Sequence, residues 1–418
     1  MGKTAHSRPI ALANAVVHRP AGPAPATVLV RGTRIEAMLG PSDPLPGEAV
    51  VVDLAGRHLL PGLIDAHVHL LGHRSMDAAE MTWVGEGLRA ARATTDLARL
   101  LDAGFTTVRE CGGHTALALR QAVEEGTLPG PAIEPCGRFI ERTGGADDAP
   151  QMPLAWAQRA GPWGPRLADG PDEVRKAVRE QLRDGATWIK TCTTGAVTTQ
   201  PLSNPNVTEW SDGEILALVD EAHRLGARVA VHAHGAAGIH QALDAGADSI
   251  EHGTFLDDEA ARKMADRGVF LVPTLHVLDR LVERGAAFGT PPWVLAKARA
   301  VRNGRRASFE HALARGVPIA LGTDCGGQDL LPHGENAHEA QLLVAMGMSP
   351  AAALSAATDA AARCVGIDHD RGTLAAGMAA DLVAVDRDPR ADIAALMDVS
   401  FVMRQGAVAR ADRVAIPA

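Results

Sequence analysis

Residues 211–235 read SDGEILALVDEAHRLGARVAVHAHG and place a helix signal directly before a strand signal. Ser211, followed three residues later by Glu214, is a capping-box pattern that marks a helix start, and Gly226 marks the helix end. The short apolar run after Gly226 fits a strand that is buried on both faces. The stretch therefore predicts one helix–strand unit of an α/β protein.

The same alternation extends from Pro61 almost to residue 367. Eight short apolar runs are spaced by helical segments: GLIDAHVHL (62–70), FTTVREC (105–111), AIEPCGRF (132–139), TWIKTC (187–192), ARVAVHAHG (227–235), DSIEHG (248–253), VFLVPTL (269–275) and PIALGTD (318–324). Because buried runs spaced by helices imply a parallel sheet, eight such units predict a (β/α)8 TIM barrel over residues 61–367.

Both ends of the chain show a different pattern. Residues 8–60 contain β-like runs separated by Pro and Gly turns, and β-like runs return as GTLAAGMAADLVAVD (372–386) and VSFVMRQGAVA (399–409). Neither end shows helical periodicity in these runs. We therefore expect the segments 1–60 and 368–418 to pair as one small β domain around an inserted barrel.

Composition excludes several function classes. The 418 residues carry 41 Lys and Arg against 50 Asp and Glu, a net charge of −9, and no dense basic run, so nucleic acid is not an expected partner. No apolar stretch approaches the length of a membrane span and no signal peptide is apparent. The five cysteines are scattered without a CxxC pair, which favours reduced thiols and a cytoplasmic location. With no Tyr, any chemistry must come from His, carboxylates, Lys, hydroxyls or a metal.

His67 and His69 stand two residues apart at the end of the first apolar run. In an extended strand such residues face the same way, so both imidazoles can reach one cation. Polar side chains recur at the ends of later runs: Lys190, His232, His234, His252 and Asp324. The carboxyl ends of barrel strands converge on the face where active sites are built, so this set predicts a metal site.

Lys190 is the unusual member, because an ammonium group is repelled by a dication and binds no metal. Carboxylation by CO2 would turn its amine into a carbamate, an anion whose two oxygens can bridge two metals. The sequence therefore places a lysine at the position where an anion that bridges two metals would be expected.

These motifs resemble the amidohydrolase superfamily across nearly the whole chain. The resemblance rests on PGLIDAHVHL, Lys190, VHAHG, EHG, GTD and the stretch ALSAATDAAARCVGIDHDRGTLAAGMAADLVAVDRDP (353–389). Within the superfamily the chain looks most similar to the imidazolonepropionase-related group, which includes prolidase-like carboxypeptidases and ochratoxinase-like amidases. The resemblance implies a TIM barrel flanked by a β-sandwich made from both chain ends, and it makes a homo-oligomer the expected state.

The resemblance also implies roles for the strand-end residues. His67, His69 and Asp324 would hold one divalent ion, His232 and His252 the other, and carboxylated Lys190 would bridge them; zinc is the first expectation for both ions. His234 then faces the substrate, although either His232 or His234 could be the ligand. Asp324 would move a proton, and His234 or His252 would stabilise the oxyanion.

The implied activity is hydrolysis of a small amide or peptide, such as an N-acyl amino acid, a dipeptide or an ochratoxin-like amide. Candidate substrate contacts besides His234 are His114, Arg142 and His276, together with Arg109 and Arg138. The segment ERTGGADD has Ala146 where related carboxypeptidases carry the His of a TGGH motif, which leaves the substrate open. Two alternatives remain: hydrolysis of a cyclic amide or carbamate, and a barrel without catalysis that serves as a binding protein.

Overall fold

The computed structural model describes residues 8–19, 21–75, 80–148, 153, 164–198, 203–412 and 414–416. Its strands are β1 (Ile10–Arg19), β2 (Gly22–Arg31), β3 (Arg34–Leu39), β4 (Val50–Asp53), β5 (His58–Pro61), β6 (Leu63–Val68), β7 (Phe105–Glu110), β8 (Ala132–Pro135), β9 (Ile140–Glu141), β10 (Arg166–Leu167), β11 (Trp188–Cys192), β12 (Arg228–Ala233), β13 (Ser249–His252), β14 (Phe270–Val272), β15 (Leu382–Val385), β16 (Val399–Arg404) and β17 (Ala407–Ala411).

Helices alternate with the central strands. They are α1 (Glu80–Trp83), α2 (Glu86–Asp102), α3 (Thr115–Glu124), α4 (Pro171–Arg183), α5 (Asp212–Arg224), α6 (Ala236–Ala245), α7 (Asp258–Arg267), α8 (Leu275–Arg284), α9 (Pro292–Arg315), α10 (His338–Ala345), α11 (Pro350–Ala356) and α12 (Asp359–Val365). Within the described ranges, none of them combines the length and apolar character needed to cross a bilayer.

The helix–strand unit at residues 211–235 forms as predicted. Helix α5 begins after Ser211, whose backbone N–H donates to Oε2 of Glu214 over 3.0 Å. It ends before Gly226, where φ is +81°, a left-handed conformation that glycine adopts without a steric penalty. Strand β12 follows directly and is buried from Val229 to Ala233.

Seven of the eight predicted runs become parallel strands. β6, β7 and β8 form one three-stranded sheet, and β10, β9, β11, β12, β13 and β14 form a six-stranded sheet in that order. Among the described residues 203–412, the eighth run, 318–324, forms no strand, and only two isolated parallel bridges lie in or directly after it. Ile319 pairs with Leu271, and Cys325 pairs with Val68. These bridges link β14 to β6. The described hydrogen-bond ladders therefore form two parallel sheets rather than one closed eight-stranded barrel, and closure remains a prediction.

Strands from both chain ends share one sheet, as predicted. Its order is β17, β16, β15, β5, β1, β2 and β3, with β4 paired to β1. β5 from the first part of the chain pairs antiparallel with β15 from the last part, Pro61 opposite Leu382. The ladders join these strands into a single sheet, so a division into two facing sheets remains a prediction.

Alternating side chains of this sheet enter two different cores. Leu382 and Ala384 of β15 pack into the core of the terminal sheet, together with Phe401 of β16. Val383 and Val385 point the other way and join the core of the parallel sheets and helices. The period-two alternation of one strand thereby attaches the terminal sheet to the α/β region that carries the site.

Candidate metal centre and active site

One cavity, with a volume of about 100 Å³, is lined by the strand-end residues that the sequence singled out. Its lining includes His67, His69, Lys190, His232, His234, His252 and Asp324. They come from β6, β11, β12 and β13 or the residues directly after them, and from the end of the eighth run. The parallel strands thus bring together residues spread over more than half of the chain, as the barrel pattern predicted.

A first group contains His67, His69 and Asp324, whose ligand atoms lie within 4.8 Å of one another. Oδ1 of Asp324 is 3.1 Å from Nε2 of His69 and 3.5 Å from Nε2 of His67. The Nδ1 atoms face away, that of His69 toward the carbonyl oxygen of Gly112 at 3.3 Å. Both Nε2 atoms therefore point at the same carboxylate oxygen, as ligands of one cation would.

A second group contains His232, His234 and His252, again with ligand atoms within 4.8 Å. Nδ1 of His234 lies 2.8 Å from the hydroxyl of Thr254, and Nδ1 of His252 lies 2.6 Å from the hydroxyl of Thr274. These contacts leave both Nε2 atoms available to the cavity. His232 has the opposite orientation, with Nε2 at 3.3 Å from the carbonyl oxygen of Gly195, so its Nδ1 is the available atom.

Lys190 lines the same cavity and is only 2% exposed. Among the described residues its ammonium group makes no hydrogen bond and no ion pair, and the ring of Phe139 lies 5.9 Å from Nζ. Burial opposes its positive charge, but the neighbouring Cys192, Cys111, Glu251 and Asp324 outweigh burial and raise the pKa of Lys190. The donor set of imidazoles, one carboxylate and a buried lysine without a hydrogen bond fits a pair of divalent cations bridged by a modified lysine.

Burial leaves the three imidazoles of the second group in the neutral form that binds metals. Burial lowers the pKa of His234 to about 4 and the pKa values of His232 and His252 well below the ordinary range. Burial also opposes ionisation of Asp324, but the hydrogen bond from His69 and the nearby imidazoles outweigh it and lower the pKa of that carboxyl. Burial also lowers the pKa of His69, but Asp324 and Glu110 outweigh it and raise that pKa to about 9, so a cation bound at the first group would displace a proton from His69.

A buried charge pair supports the first group. Nδ1 of His67 lies 2.7 Å from Oε2 of Glu251, whose Oε1 accepts a hydrogen bond from Arg109 over 2.7 Å. Arg109 also donates to the hydroxyl of Ser249 and stacks over Trp188, with its guanidinium 4.6 Å from the ring centroid. A carboxylate behind a metal-binding His fixes the ring orientation and the tautomer.

Three residues at the site adopt backbone conformations that are unusual for non-glycine residues. φ is +71° at His252, +47° at Thr274 and +59° at Asp324. Each such residue costs of order 1–3 kcal/mol and persists only where the surrounding structure enforces it. The backbone strain at these three positions lowers the stability of the fold. The surrounding structure therefore enforces the geometry of the site.

His234 lines this cavity, but the other predicted substrate contacts do not. His114 precedes α3, and Nδ1 of His276 contacts Nδ1 of His338 at 3.1 Å. Arg142 forms an ion pair with Glu209 and donates to the carbonyl oxygen of Thr143. Of the other two arginines, Arg109 is committed to Glu251, and Arg138 donates to the carbonyl oxygens of Gly164 and Pro165.

Most of the other residues that line the cavity were not predicted from the sequence. The cavity is also lined by Phe139, Asp147, Cys192, Ala196, Val197, Thr198, Val277, Leu278 and Leu281. Cys192 stands two residues after Lys190 on β11, and the alternation of a strand could have placed it beside that lysine. Val277 lies on α8, and nothing in its local sequence connects that helix to the metal ligands.

Comparison with known proteins identifies relatives of this chain. The amidohydrolase family matches residues 58–409. Ochratoxinase from Aspergillus niger is 33% identical over 354 residues, covering 80% of this chain and 71% of that protein. A prolidase solved with N-methylphosphonate-L-proline is 33% identical with a TM-score of 0.90, covering 97% of this chain and 100% of its own. A Xaa-Pro dipeptidase solved with methionine in its active site is 32% identical with a TM-score of 0.85, covering 96% of this chain and 98% of its own.

The structural likenesses span nearly the whole chain and assign it a TIM-barrel-like α/β fold. They confirm the resemblance drawn from the HxH, VHAHG, EHG and GTD motifs. The match of the family to residues 58–409 covers every residue of the two histidine groups. The chain therefore belongs to the amidohydrolase family.

Proposed function

We propose that the chain is a binuclear metal-dependent hydrolase that cleaves an amide or peptide bond of a small substrate. The observation that carries the proposal is that two three-residue groups and the buried Lys190 line one cavity. Family membership supports hydrolysis of carbon–nitrogen bonds, and the names prolidase, dipeptidase and ochratoxinase among the relatives favour amides and peptides.

We assign His67, His69 and Asp324 to one divalent ion and His232 and His252 to the other. Lys190, carboxylated on Nζ, would bridge them, which accounts for a buried lysine with no carboxylate partner among the described residues. Zinc suits imidazole and carboxylate ligands and is the first choice for both ions. The assignment of His232 rather than His234 is supported by its Nδ1 atom, which is available to the cavity because Nε2 faces Gly195.

In this proposal the chain's own residues position the substrate and move the proton. Divalent ions bound here would lower the pKa of a water molecule and polarise the scissile carbonyl. Asp324, ionised by its imidazole neighbours, accepts the proton of the attacking water at a carboxylate oxygen and delivers it to the leaving amine. His234, held by Thr254 through Nδ1, presents Nε2 for a hydrogen bond to the oxygen that becomes negative.

Metal analysis combined with a hydrolysis screen tests the proposal. We expect about two metal equivalents per chain and cleavage of dipeptides or N-acyl amino acids. Selective cleavage of cyclic amides or carbamates would favour the first alternative, and less than one equivalent with no cleavage would favour a non-catalytic barrel.

Two matched variants test the bridging role of Lys190. Lys190→Ala removes the bridge and should lose most of the metal, whereas Lys190→Glu restores an anion and should retain more. Two equivalents bound to the Lys190→Ala protein would rule out the carbamate bridge.

Other expectations from the sequence join this proposal. We propose a domain division into residues 1–60 with 368–418 and residues 61–367, supported by the sheet that both chain ends share. All five cysteines are free and buried, which supports a reducing, cytoplasmic environment. The homo-oligomer stays a prediction, which sedimentation or light scattering of the purified protein would test.

A further inference from the structure

One wall of the cavity is acidic. Asp147 and Cys192 both line the cavity, and Sγ of Cys192 lies 3.5 Å from Oδ2 of Asp147. Glu141 lies behind them, and the three residues offer ligand atoms within 4.8 Å of one another. We call this group, Glu141, Asp147 and Cys192, the acidic wall.

Within the acidic wall, Glu141 has a buried carboxyl oxygen that a ligand could satisfy. Its side chain is 0% exposed, and Oε2 has no hydrogen-bond partner among the described residues. A buried polar atom that lacks a partner costs about 1–3 kcal/mol, and more if it is charged. Burial and the neighbouring carboxyls of Asp147 and Glu209 raise the pKa of Glu141 well above its ordinary range, and burial raises the pKa of Asp147. A positive charge close to Asp147 would therefore stabilise its ionised form.

The described residues supply little positive charge to the acidic wall. Arg142, the neighbour of Glu141 in sequence, is paired with Glu209. Lys190 is the one Lys or Arg among the described residues lining the cavity, and carboxylation would replace its positive charge with a negative one. Asp147 would then face the cavity without a cationic partner among the described residues, and a cationic group of the substrate can pair with it.

The position of the wall relative to the metal groups limits which cation fits. Cys192 lies two residues beyond Lys190 on β11, so both side chains lie on the same face about 7 Å apart along the strand. In a peptide with a free N-terminus, the ammonium nitrogen is two covalent bonds from the carbonyl carbon of the first residue. A substrate carbonyl held at the metal groups can therefore direct its ammonium group toward Asp147.

We propose that Asp147 binds the free N-terminal ammonium group of the substrate. The substrates are then peptides with an unblocked first residue rather than N-acyl amino acids. The apolar part of the cavity lining, which includes Val277, Leu278 and Leu281, favours an apolar side chain on that substrate. This inference rests on the proposed peptide hydrolysis and specifies which amides are cleaved.

The first test uses the wild-type holoenzyme and three substrates with the same scissile bond at pH 7. They are a dipeptide with an apolar first residue, its N-acetylated form, and its des-amino analogue with hydrogen in place of the ammonium group. We expect KM for the free dipeptide to be about ten- to hundredfold lower than for the other two, the range for one charge-assisted hydrogen bond. Equal KM values for all three would overturn the subsite.

The second test uses Asp147→Asn with Asp184→Asn, an exposed carboxylate outside the cavity, as the matched control. Asp147→Asn should raise KM for the free dipeptide about ten- to hundredfold, leave KM for the N-acetylated form within twofold, and keep the metal content. Asp184→Asn should match the wild type. If Asp147→Asn fails to fold, the three-substrate comparison decides alone.

Two other outcomes separate the competing explanations. If Asp147→Asn and Glu141→Gln each lose one metal equivalent while the preference for a free ammonium group persists, the acidic wall holds a metal and the subsite is wrong. If the metal-loaded wild type cleaves none of the three substrates, the proposed peptide hydrolysis is itself wrong, and the subsite is overturned with it.

Discussion

Glu251 and His67 form a contact of 2.7 Å between two side chains that are 0% and 1% exposed. The other carboxylate oxygen of Glu251 forms an ion pair with the guanidinium group of Arg109, which is equally buried. Removal of one partner from such a pair leaves an uncompensated buried charge. The contact therefore couples the orientation of a candidate metal ligand to the stability of the parallel sheets.

Glu251→Gln tests this coupling. We expect metal affinity to fall about ten- to hundredfold, because the ring of His67 loses its anchor. The free energy of unfolding should fall by about 3–5 kcal/mol, because Arg109 is left without its charge partner. Metal titration and denaturant unfolding measure the two effects. Glu124→Gln, in the exposed pair with Arg120, is the control and should cost less than about 0.5 kcal/mol.

The same carboxylate predicts a pH dependence of stability. Burial opposes ionisation of Glu251, but Arg109 and the hydrogen bond from His67 outweigh it and lower the pKa to about 2. Because this folded-state pKa lies below the unfolded value of about 4.3, the stabilisation is complete above that value and is lost as the pH falls toward 2. Unfolding of the metal-free protein between about pH 5 and pH 2 should be less pH-dependent in Glu251→Gln. An unchanged slope would contradict this role.

Asp324→Asn separates proton transfer from metal binding. The amide keeps an oxygen that can contact a cation but cannot accept a proton at neutral pH. We expect kcat to fall about 100- to 10,000-fold at saturating metal, with KM changed far less. Elemental analysis of the same sample confirms that metal is present. Activity close to wild type with metal bound would exclude Asp324 as the proton acceptor.

Thr274 orients the second histidine group through a single hydroxyl, 2.6 Å from Nδ1 of His252. Thr274→Ala removes the hydroxyl and should lower metal affinity about ten- to hundredfold. Thr274→Ser retains the hydroxyl and should remain near wild type. Both variants lose the β-branch at a position where φ is +47°, so a difference between them reports on the hydrogen bond rather than on backbone strain. Equal metal affinity of the two proteins would show that the hydroxyl is dispensable.

Gly322 leaves no room for a side chain beside the first ligand. A Cβ atom there would lie 2.3 Å from Cγ1 of Val272 and 2.8 Å from Cβ of His67. Gly322→Ala should therefore destabilise the protein by about 1–3 kcal/mol and weaken metal binding through displacement of His67. Gly213→Ala, in the first turn of α5 with nothing within 4 Å of the new atom, should instead stabilise by about 0.5–1 kcal/mol. Thermal unfolding of both variants provides the comparison.

The strand-end ligands could be predicted because their signals are local. An i, i+2 spacing places His67 and His69 on one face, and short buried runs separated by capped helices indicate parallel strands. The pairing of Glu251 with Arg109 could not be predicted, because it depends on which strands are neighbours and in what register. The same holds for Asp147 beside Cys192, where a loop returns to β11, and for the two-residue strands β9 and β10, which carry no periodicity.

The shared terminal sheet has a consequence for the order of folding. β5 cannot pair with β15 until the whole α/β region has been synthesised, because that region lies between them in the chain. At about 5–20 residues per second, translation leaves one edge of β5 open for on the order of tens of seconds. An exposed strand edge is a template for pairing with another chain. Ribosome-bound chains that end before Leu382 are therefore the species most exposed to aggregation, and the last strands to be made are the ones that cover that edge.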